Sequence, residues 1–587
     1  MVETLRGRIA VVDLRRPVVE DGLIEALRAR PWDEVYAVTP LAAWLLEQAD
    51  IPFKNNDALV DAAEFRASGL ENFTRLEHVF RDLFGAERES WLGLLAPLKM
   101  LADYALAEEL RRRSLEQADV HIFSDLPHPT RAAVSWNDHI YNRAALYFWV
   151  VPAKRHTLIR RRSELLPRLV NRLKRLTPAG LLRKLARLAP RGVKPGLVTA
   201  FAYDWAPLRP FLKSQFSSFT AAELAAEALV LGGAPADDET AARFRSALEE
   251  EFQQTLPLTL PHLLAIALEC FARYALLRRH LSEHIPDLVK RHDLRGALST
   301  FCGSPEEYLV NYFLKAQALP TVFYQHGGYM QHFGLTAAAE TVPASHNLAY
   351  GSDDAAFLSG LRADGRVYRM GSTLLDELRP ACPQKSRFLY VLLLNPGNPL
   401  FADGNLSYPL TDHTAMFRRH RRVLKLFARR PESTLVLRQH PAQYNWCLYE
   451  PLSEFIANCG IKNVSFDQSP LDPDRYFSGY EGIIMDYPCT GLLQAMAKGA
   501  KLACHIGDPF HVAPEGEPAL RRAAACAADD DAFIALLELW ITGELPCGEE
   551  AARAEYLSRH GRGLDPSLPA VRAFVEETLQ RTSRGLR

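Results

Sequence analysis

Residues 482–499 read GIIMDYPCTGLLQAMAKG. Gly482 to Met485 is a short apolar run with no polar break, the pattern of a strand buried on both faces. Asp486 follows at once, then Pro488, and then Thr490-Gly491 opens an apolar-periodic stretch that reads as a helix with Thr490 as its N-cap. Such a helix start offers free N–H groups and a partial positive charge to a phosphate. The plainer reading is a capped helix and nothing more.

Working outward, the same alternation recurs. Strand-like runs fall at 388–394, 433–437, 464–466 and 501–504, with helical periodicity at 412–430 and 490–499. Alternating strand and helix implies a parallel sheet with helices on both faces. Upstream, 8–13 and 34–38 read as strands around a helical stretch at 22–30, and 120–124 and 146–151 as further strands. Residues 205–295 are mostly helical in pattern, and strands resume at 321–324, 347–351 and 367–372. Pro380 and Pro383 sit in a polar connector that reads as a hinge. The expected fold class is α/β, two domains facing a cleft. Residues 1–375 form the first, with a basic helical insertion at about 154–295. Residues 386–545 form the second, and 546–587 a helical tail.

Composition sets bounds on function. The chain has 587 residues, long for one core, with 69 basic against 70 acidic side chains, a balance that argues against bulk nucleic-acid binding. Nine cysteines, odd in number and never spaced C-x-x-C, fit reduced thiols in a cytosol rather than a disulfide framework or a zinc site. No apolar signal-peptide segment is evident at the N-terminus, and the densest apolar run, 144–152, is too short to span a bilayer.

Two further motifs stand at strand ends. Tyr324-Gln325-His326-Gly327-Gly328 follows the run 321–324. Its paired glycines let the backbone approach a ligand and offer N–H groups to an anion, and His326 titrates near neutral pH, suited to taking a proton from an acceptor hydroxyl. The alternative is a structural histidine bonded to a nearby carbonyl. Arg438-Gln439-His440-Pro441 closes the run 433–437; Arg438 and His440 share one face if the strand continues, and two cations there suit a diphosphate. The alternative is an edge-strand turn with a solvated arginine. The loop at 395–399, with Asn395 and Gly397, follows the run 388–394 and is placed to touch the same ligand.

Other features read more plainly. Asp529-Asp530-Asp531 contains a D-x-D but reads as a solvated helix cap. His505, Asp508 and His511 read as a donor-site loop before a metal site, and 123–129 ends a strand that could face an acceptor. Between 154 and 194, Arg161, Arg168, Arg172, Lys174, Arg175, Arg183 and Lys184 stand among leucines at helical spacing, with Pro178 between two short helices. Basic amphipathic helices bind anionic membranes, at about 1 kcal/mol per basic residue near the surface. The alternative is a helical hairpin that packs its leucines on the core.

The trio of His326-Gly327, Arg438-Gln439-His440-Pro441 and Asp486 to Thr490 resembles the motifs of GT-B transferases of bacterial surface carbohydrate. These include teichoic-acid glycerophosphotransferases and capsule-type Kdo and sialic acid transferases. The likeness covers about 320–510, and Gly371-Ser372 resembles the element that closes the N-terminal domain in those families. It implies a GT-B-like fold of two Rossmann-like domains and a metal-independent glycosyltransferase. His326 would be the acceptor-side base, with His440 and Asp486 beside it in catalysis. Gly327, Gly328, Gly371, Ser372, Asn395, Gly397, Arg438, Thr490 and Gly491 would bind the donor. The resemblance implies a nucleotide-sugar donor as substrate with no cofactor, a glycan or lipid-linked acceptor, and a cytoplasmic protein at the inner face of the plasma membrane. Pro488-Cys489 replaces a small polar pair of the polymerases, and Gln494 stands where many GT-B enzymes carry a ribose-binding glutamate. A CDP-glycerol-type glycerophosphotransferase, a sugar-nucleotide epimerase and a non-enzymatic membrane adaptor are the competing readings.

Overall fold

The computed structural model describes residues 5–14, 18, 20–60, 62–125, 155–159, 194–199, 203–230, 238–300, 304–325, 341–361, 366–376, 378, 384–392, 413–439, 449–467, 477–507, 512, 516–545 and 548–585. Three parallel sheets organise these residues. The first contains β1 (Gly7–Asp13), β2 (Glu34–Ala37), β3 (Lys54–Asn55), β4 (Ala118–Ser124) and β5 (Arg155–Leu158), in the order β3-β2-β1-β4-β5. The second contains β6 (Gly196–Thr199), β7 (Ser217–Phe219), β8 (Leu294–Ser299), β9 (Thr321–Tyr324), β10 (His346–Ala349) and β11 (Arg366–Arg369), in the order β11-β10-β9-β8-β6-β7. The third contains β12 (Arg387–Val391), β13 (Thr434–Arg438), β14 (Val464–Phe466), β15 (Gly482–Met485), β16 (Lys501–His505) and β17 (Ala525–Ala527), in the order β14-β13-β12-β15-β16-β17.

Numbered within itself, the third sheet runs 3-2-1-4-5-6, the doubly wound Rossmann order, and the first sheet runs 3-2-1-4-5. The second runs 2-1-3-4-5-6, the other common doubly wound order with one strand added. Central strands are buried on both faces rather than on one, because helices cover both: all four residues of β15 and the last five of β1 are buried.

The stretch 1–375 therefore carries two sheets where the sequence reading expected one domain with a helical insertion. Within the expected insertion, β6, β7 and the start of β8 are strands of the second sheet. They are short and lie among long helical runs, so their period does not register. Helices Ala221–Val230, Asp238–Phe252 and Leu260–His292 account for the helical pattern. With helices Ala62–Phe84 and Leu92–Leu115 they form a core stapled by stacked rings, Phe84 on Trp91 at 4.2 Å and Trp91 on Phe271 at 5.2 Å. Helix Leu260–His292 is long and apolar enough to cross a membrane, but Leu263, Phe271, Tyr274, Leu281 and Ile285 are buried in this core.

Helix packing ties the sheets together. Helix Pro40–Gln48 of the first unit lies on the third, with Trp44 against Phe455 and Glu47 accepting from Arg421 at 2.7 Å. After β17 the chain runs through helices Asp530–Thr542, Glu550–His560 and Ser567–Gly585. The last returns to the second sheet, burying Val571, Val575 and Leu579 and setting Phe574 4.8 Å from the Tyr368 ring.

Candidate functional site

In a doubly wound sheet the ligand crevice lies where neighbouring strands send their connections to opposite sides. In the third sheet that point is between β12 and β15, and Asp486 follows β15 directly, its N–H donating to Val391 at 3.1 Å. Its carboxylate is fully buried and collects three donors. Arg419 Nε donates to Oδ1 at 2.8 Å, the Tyr390 hydroxyl donates to the same oxygen at 3.0 Å, and His420 Nε2 meets Oδ2 at 2.6 Å. Arg419 and His420 are consecutive on helix His413–Ala428, the crossover from β12 to β13.

The network extends in two directions. His420 Nδ1 lies 2.6 Å from Glu450 Oε1, with His420 fully buried and Glu450 nearly so. Arg419 Nη1 donates to Asp530 at 2.8 Å and approaches His505 Nε2 at 3.2 Å. Burial alone would push the His420 imidazole down, but the Glu450 and Asp486 carboxylates outweigh it and hold the pKa up at about 10. Burial likewise opposes the ionised Asp486, yet Arg419 and His420 hold its carboxyl far below the usual range. Asp530 is lowered too, its burial overcome by His505 and Arg419. The result is a fixed set of charges, with Arg419 and His420 as cations among three carboxylates.

The sequence reading sets Asp486 beside His326 and His440 in catalysis. His440 lies outside the described residues, and the partners found for Asp486 are Arg419, His420 and Tyr390. Arg419, His420 and Glu450 were not singled out from the sequence; the one signal for them is the run Arg418-Arg419-His420-Arg421-Arg422, too basic for a helix whose inner face is core.

Arg438 ends β13 and is buried, its guanidinium 3.1 Å from Asp467 Oδ2. It is thus a held cation rather than a solvated one. Helix Thr490–Ala497 begins one residue earlier than expected: Cys489 holds the N-cap position with no side-chain cap bond, and Thr490 and Gly491 stand in the first turn, partly exposed. Burial raises the Cys489 thiol above its usual pKa. Asp529 is the cap that the sequence reading expected, its side chain accepting from Ala532 N–H at 2.8 Å.

At the carboxyl edge of the second sheet a second polar network forms. Gln325, which directly precedes His326, donates to Asp354 at 2.7 Å and accepts from the Tyr350 N–H at 2.8 Å. Asp354 also faces His560 of the tail at 3.4 Å. Buried Asp204 accepts from the Ser372 hydroxyl at 2.6 Å and from the Tyr350 hydroxyl. Burial raises its pKa against those hydrogen bonds. Gly371, at φ +75°, lies against the tail: an added Cβ would meet Gly563 N and Ser567 Oγ at 2.3 Å. Gly371 and Ser372 are therefore engaged with the tail and with Asp204. The next helix, Thr373–Asp376, packs on helix Thr490–Ala497, so the carboxyl edges of the second and third sheets meet.

His326, Gly327, Gly328, Asn395, Gly397 and His440 lie outside the described residues, as do the hinge at 380–383, Asp508, His511, and the basic residues Arg161, Arg168, Arg172, Lys174, Arg175, Arg183 and Lys184.

No protein-family model and no curated protein matches the chain. Among solved structures it is similar to a putative UDP-N-acetylglucosamine 2-epimerase from Listeria monocytogenes, with a TM-score of 0.39 and 12% identity over 66% of this chain and 98% of that one. It is also similar to the lipopolysaccharide outer core galactosyltransferase WaaB, with a TM-score of 0.29 and 14% identity over 49% of this chain and 76% of that one. MurG of Acinetobacter baumannii overlaps with a TM-score of 0.31 and 11% identity, over 50% of this chain and 76% of that one. At such low identity and overlap these likenesses bear on neither activity nor substrate.

Proposed function

We propose that this protein transfers a sugar from a nucleotide-activated donor to a bacterial surface polysaccharide or its lipid-linked precursor. The observation that carries the reading is the convergence at the third sheet's switch point. Arg438, the turn from Asp486 to Gly491 and the start of helix Thr490–Ala497 stand together at its carboxyl edge, against the corresponding edge of the second sheet. Arg438, His440 and the helix start would hold the donor diphosphate and stabilise the departing nucleotide as charge develops on it. Thr490 and Gly491 stand at the same edge, and Asn395 and Gly397 would join them as further donor contacts. His326, next to the anchored Gln325, would take the proton of the acceptor hydroxyl, with Gly327 and Gly328 offering N–H groups. Asp486 acts through Arg419 and His420 rather than on substrate. The nucleotide sugar is a substrate, and the chemistry calls for neither cofactor nor metal ion.

The basic segment at 154–194 would dock the protein on the inner face of the plasma membrane, near a lipid-linked acceptor. Cosedimentation with anionic vesicles, lost when Arg168, Arg172, Lys174 and Arg175 are changed to Gln, supports docking; equal pelleting with neutral vesicles overturns it. The reaction is tested by incubating the protein with UDP-, GDP-, CMP- and ADP-sugars and with CDP-glycerol, each with and without a bacterial glycolipid extract. Release of free nucleotide that depends on the extract and is lost in His326→Ala supports transfer. Conversion of donor without acceptor selects the epimerase instead, and consumption of CDP-glycerol alone selects the glycerophosphotransferase.

A further inference from the structure

We propose that the first unit is a positioning device for the nucleotide edge: its Trp44 and Glu47 clamp helix His413–Ala428, and that helix holds the turn that opens with Asp486. The inference rests on the reading above that this edge binds a nucleotide. That reading gives parts to the second and third units and none to the first.

Helix Pro40–Gln48 is built to be enclosed. Every residue from Pro40 to Leu46 is buried, the pattern of a helix packed on all sides rather than along one stripe. Its start is fixed to its own sheet. The Thr39 hydroxyl donates to Leu14 O at 2.7 Å and accepts from Ala42 N–H at 3.3 Å, and Leu14 directly follows β1. Its far end meets the third unit. Trp44 stands edge-on to Phe455 at 6.2 Å, Gln48 accepts from Asn458 at 3.1 Å, and Glu47 accepts from Arg421 at 2.7 Å. The Arg421 guanidinium lies over the Phe417 and Phe455 rings, 5.2 and 5.1 Å from their centroids.

Arg421 follows Arg419 and His420 on the same helix. A helix turns by about 100° per residue, so neighbouring side chains point in different directions. Arg419 and His420 reach Asp486 at 2.8 and 2.6 Å, while Arg421 reaches the first unit. One rigid element therefore carries both grips, and a shift at one displaces the other, as coupling through packed elements requires. Groups at a binding site must sit within about 0.5 Å of their working place, so a small shift matters. Helix Asp530–Thr542 of the third unit packs along the same helix, and if that support sufficed, the first-unit contact would be idle.

The Glu47–Arg421 pair is partly exposed and adds little folding stability as a bond, which makes it a usable probe. Glu47→Arg and Arg421→Glu each set like charges face to face, and the two together restore an opposite pair. Amide hydrogen exchange at 486–492 reads the turn without any ligand. Calorimetry with nucleoside diphosphates, well below each variant's melting temperature, reads the consequence. Each single reversal is expected to speed that exchange and to weaken nucleotide binding by about fivefold, the lower end of typical coupling between sites. The double reversal is expected to recover most of both. Arg429→Ala, which removes a surface pair with Glu538 at 3.0 Å just past the same helix, is expected to move neither. Unchanged exchange in both single reversals overturns the clamp and leaves helix Asp530–Thr542 as sufficient support. Faster exchange with undiminished affinity for a nucleotide that the wild type binds also overturns it, leaving only a structural contact. If a reversal does not fold, Glu47→Gln and Arg421→Gln, which remove charge without repulsion, decide by the same two readouts. A wild type that binds no nucleotide overturns the proposed function, and the exchange result still judges the clamp.

Discussion

Asp486 has no exposed surface to offer, yet it is among the most constrained side chains in the chain, with Arg419, His420 and Tyr390 on its two oxygens. Asp486→Ala would take from the buried Arg419 guanidinium and His420 imidazolium the carboxylate they share, leaving Asp530 and Glu450 on their other sides. The expected cost is about 3–5 kcal/mol of folding stability, read as a fall in the urea midpoint. The network also sets a pH dependence. His420 is raised from near 6.5 to about 10, so the stability it contributes is complete below about pH 6.5 and is lost as pH rises through 10. Asp486 works in the opposite sense: its lowered pKa contributes stability above the ordinary carboxylate range, about 4, which is lost on acidification. Urea midpoints at pH 7, 9 and 10.5 should decline more steeply in the wild type than in His420→Gln; parallel curves would remove His420 as the cause. At this scale the sequence showed Asp486 and Arg438 as residues of interest but not their partners. Arg419 and His420 reach Asp486 across 67 and 66 positions of chain, a distance that no local pattern encodes.

Among the elements, the third sheet was legible from β12 to β16, apolar runs whose observed bounds lie within three residues of the expected ones, whereas β17, three residues long, was not foreseen. The second sheet was legible only from β9 to β11. β7 is three residues long and β8 carries Arg295 and Gly296, so neither separates from the helices around it. The long helix that dominates that stretch is capped from another element. Glu109 Oε2 accepts from Leu258 N–H and Thr259 N–H at 2.9 Å each and from the Thr259 hydroxyl at 3.0 Å. Glu109→Ala would strand these donors at the start of helix Leu260–His292, at a cost of about 2–3 kcal/mol in thermal or urea unfolding. Asp529→Ala, the loss of a local cap, should cost only about 1 kcal/mol in the same measurement. Equal effects would mean that the Glu109 contact is not a cap.

At the scale of the molecule, the returning tail ties the second of the three doubly wound units to the third. The turn after helix Glu550–His560 lies directly on the ends of β10 and β11: a Cβ added at Gly351 would meet Arg559 O at 1.8 Å. Arg559 pairs with Asp353 at 2.7 Å, and Arg369 donates to Ser558 O at 2.8 Å. Gly351→Val should therefore loosen the tail from the second sheet, seen as new protease cleavage around 559–566 and a lowered melting temperature; an unchanged digest would show that the tail is held elsewhere. The sequence implied a helical tail and α/β layers but not the division of 1–375 into two sheets, since which strands pair is decided by contacts far apart in the chain.

The central claim is that the carboxyl edge of the third sheet binds a nucleotide. The measurement that tests it most directly is a thermal-shift and calorimetric screen of the purified protein against CMP, CDP, UDP, GDP and ADP, with His440→Ala alongside. The account predicts stabilisation by one nucleotide class, abolished in the variant while the protein remains folded. A folded wild type that none of the five stabilises would contradict it.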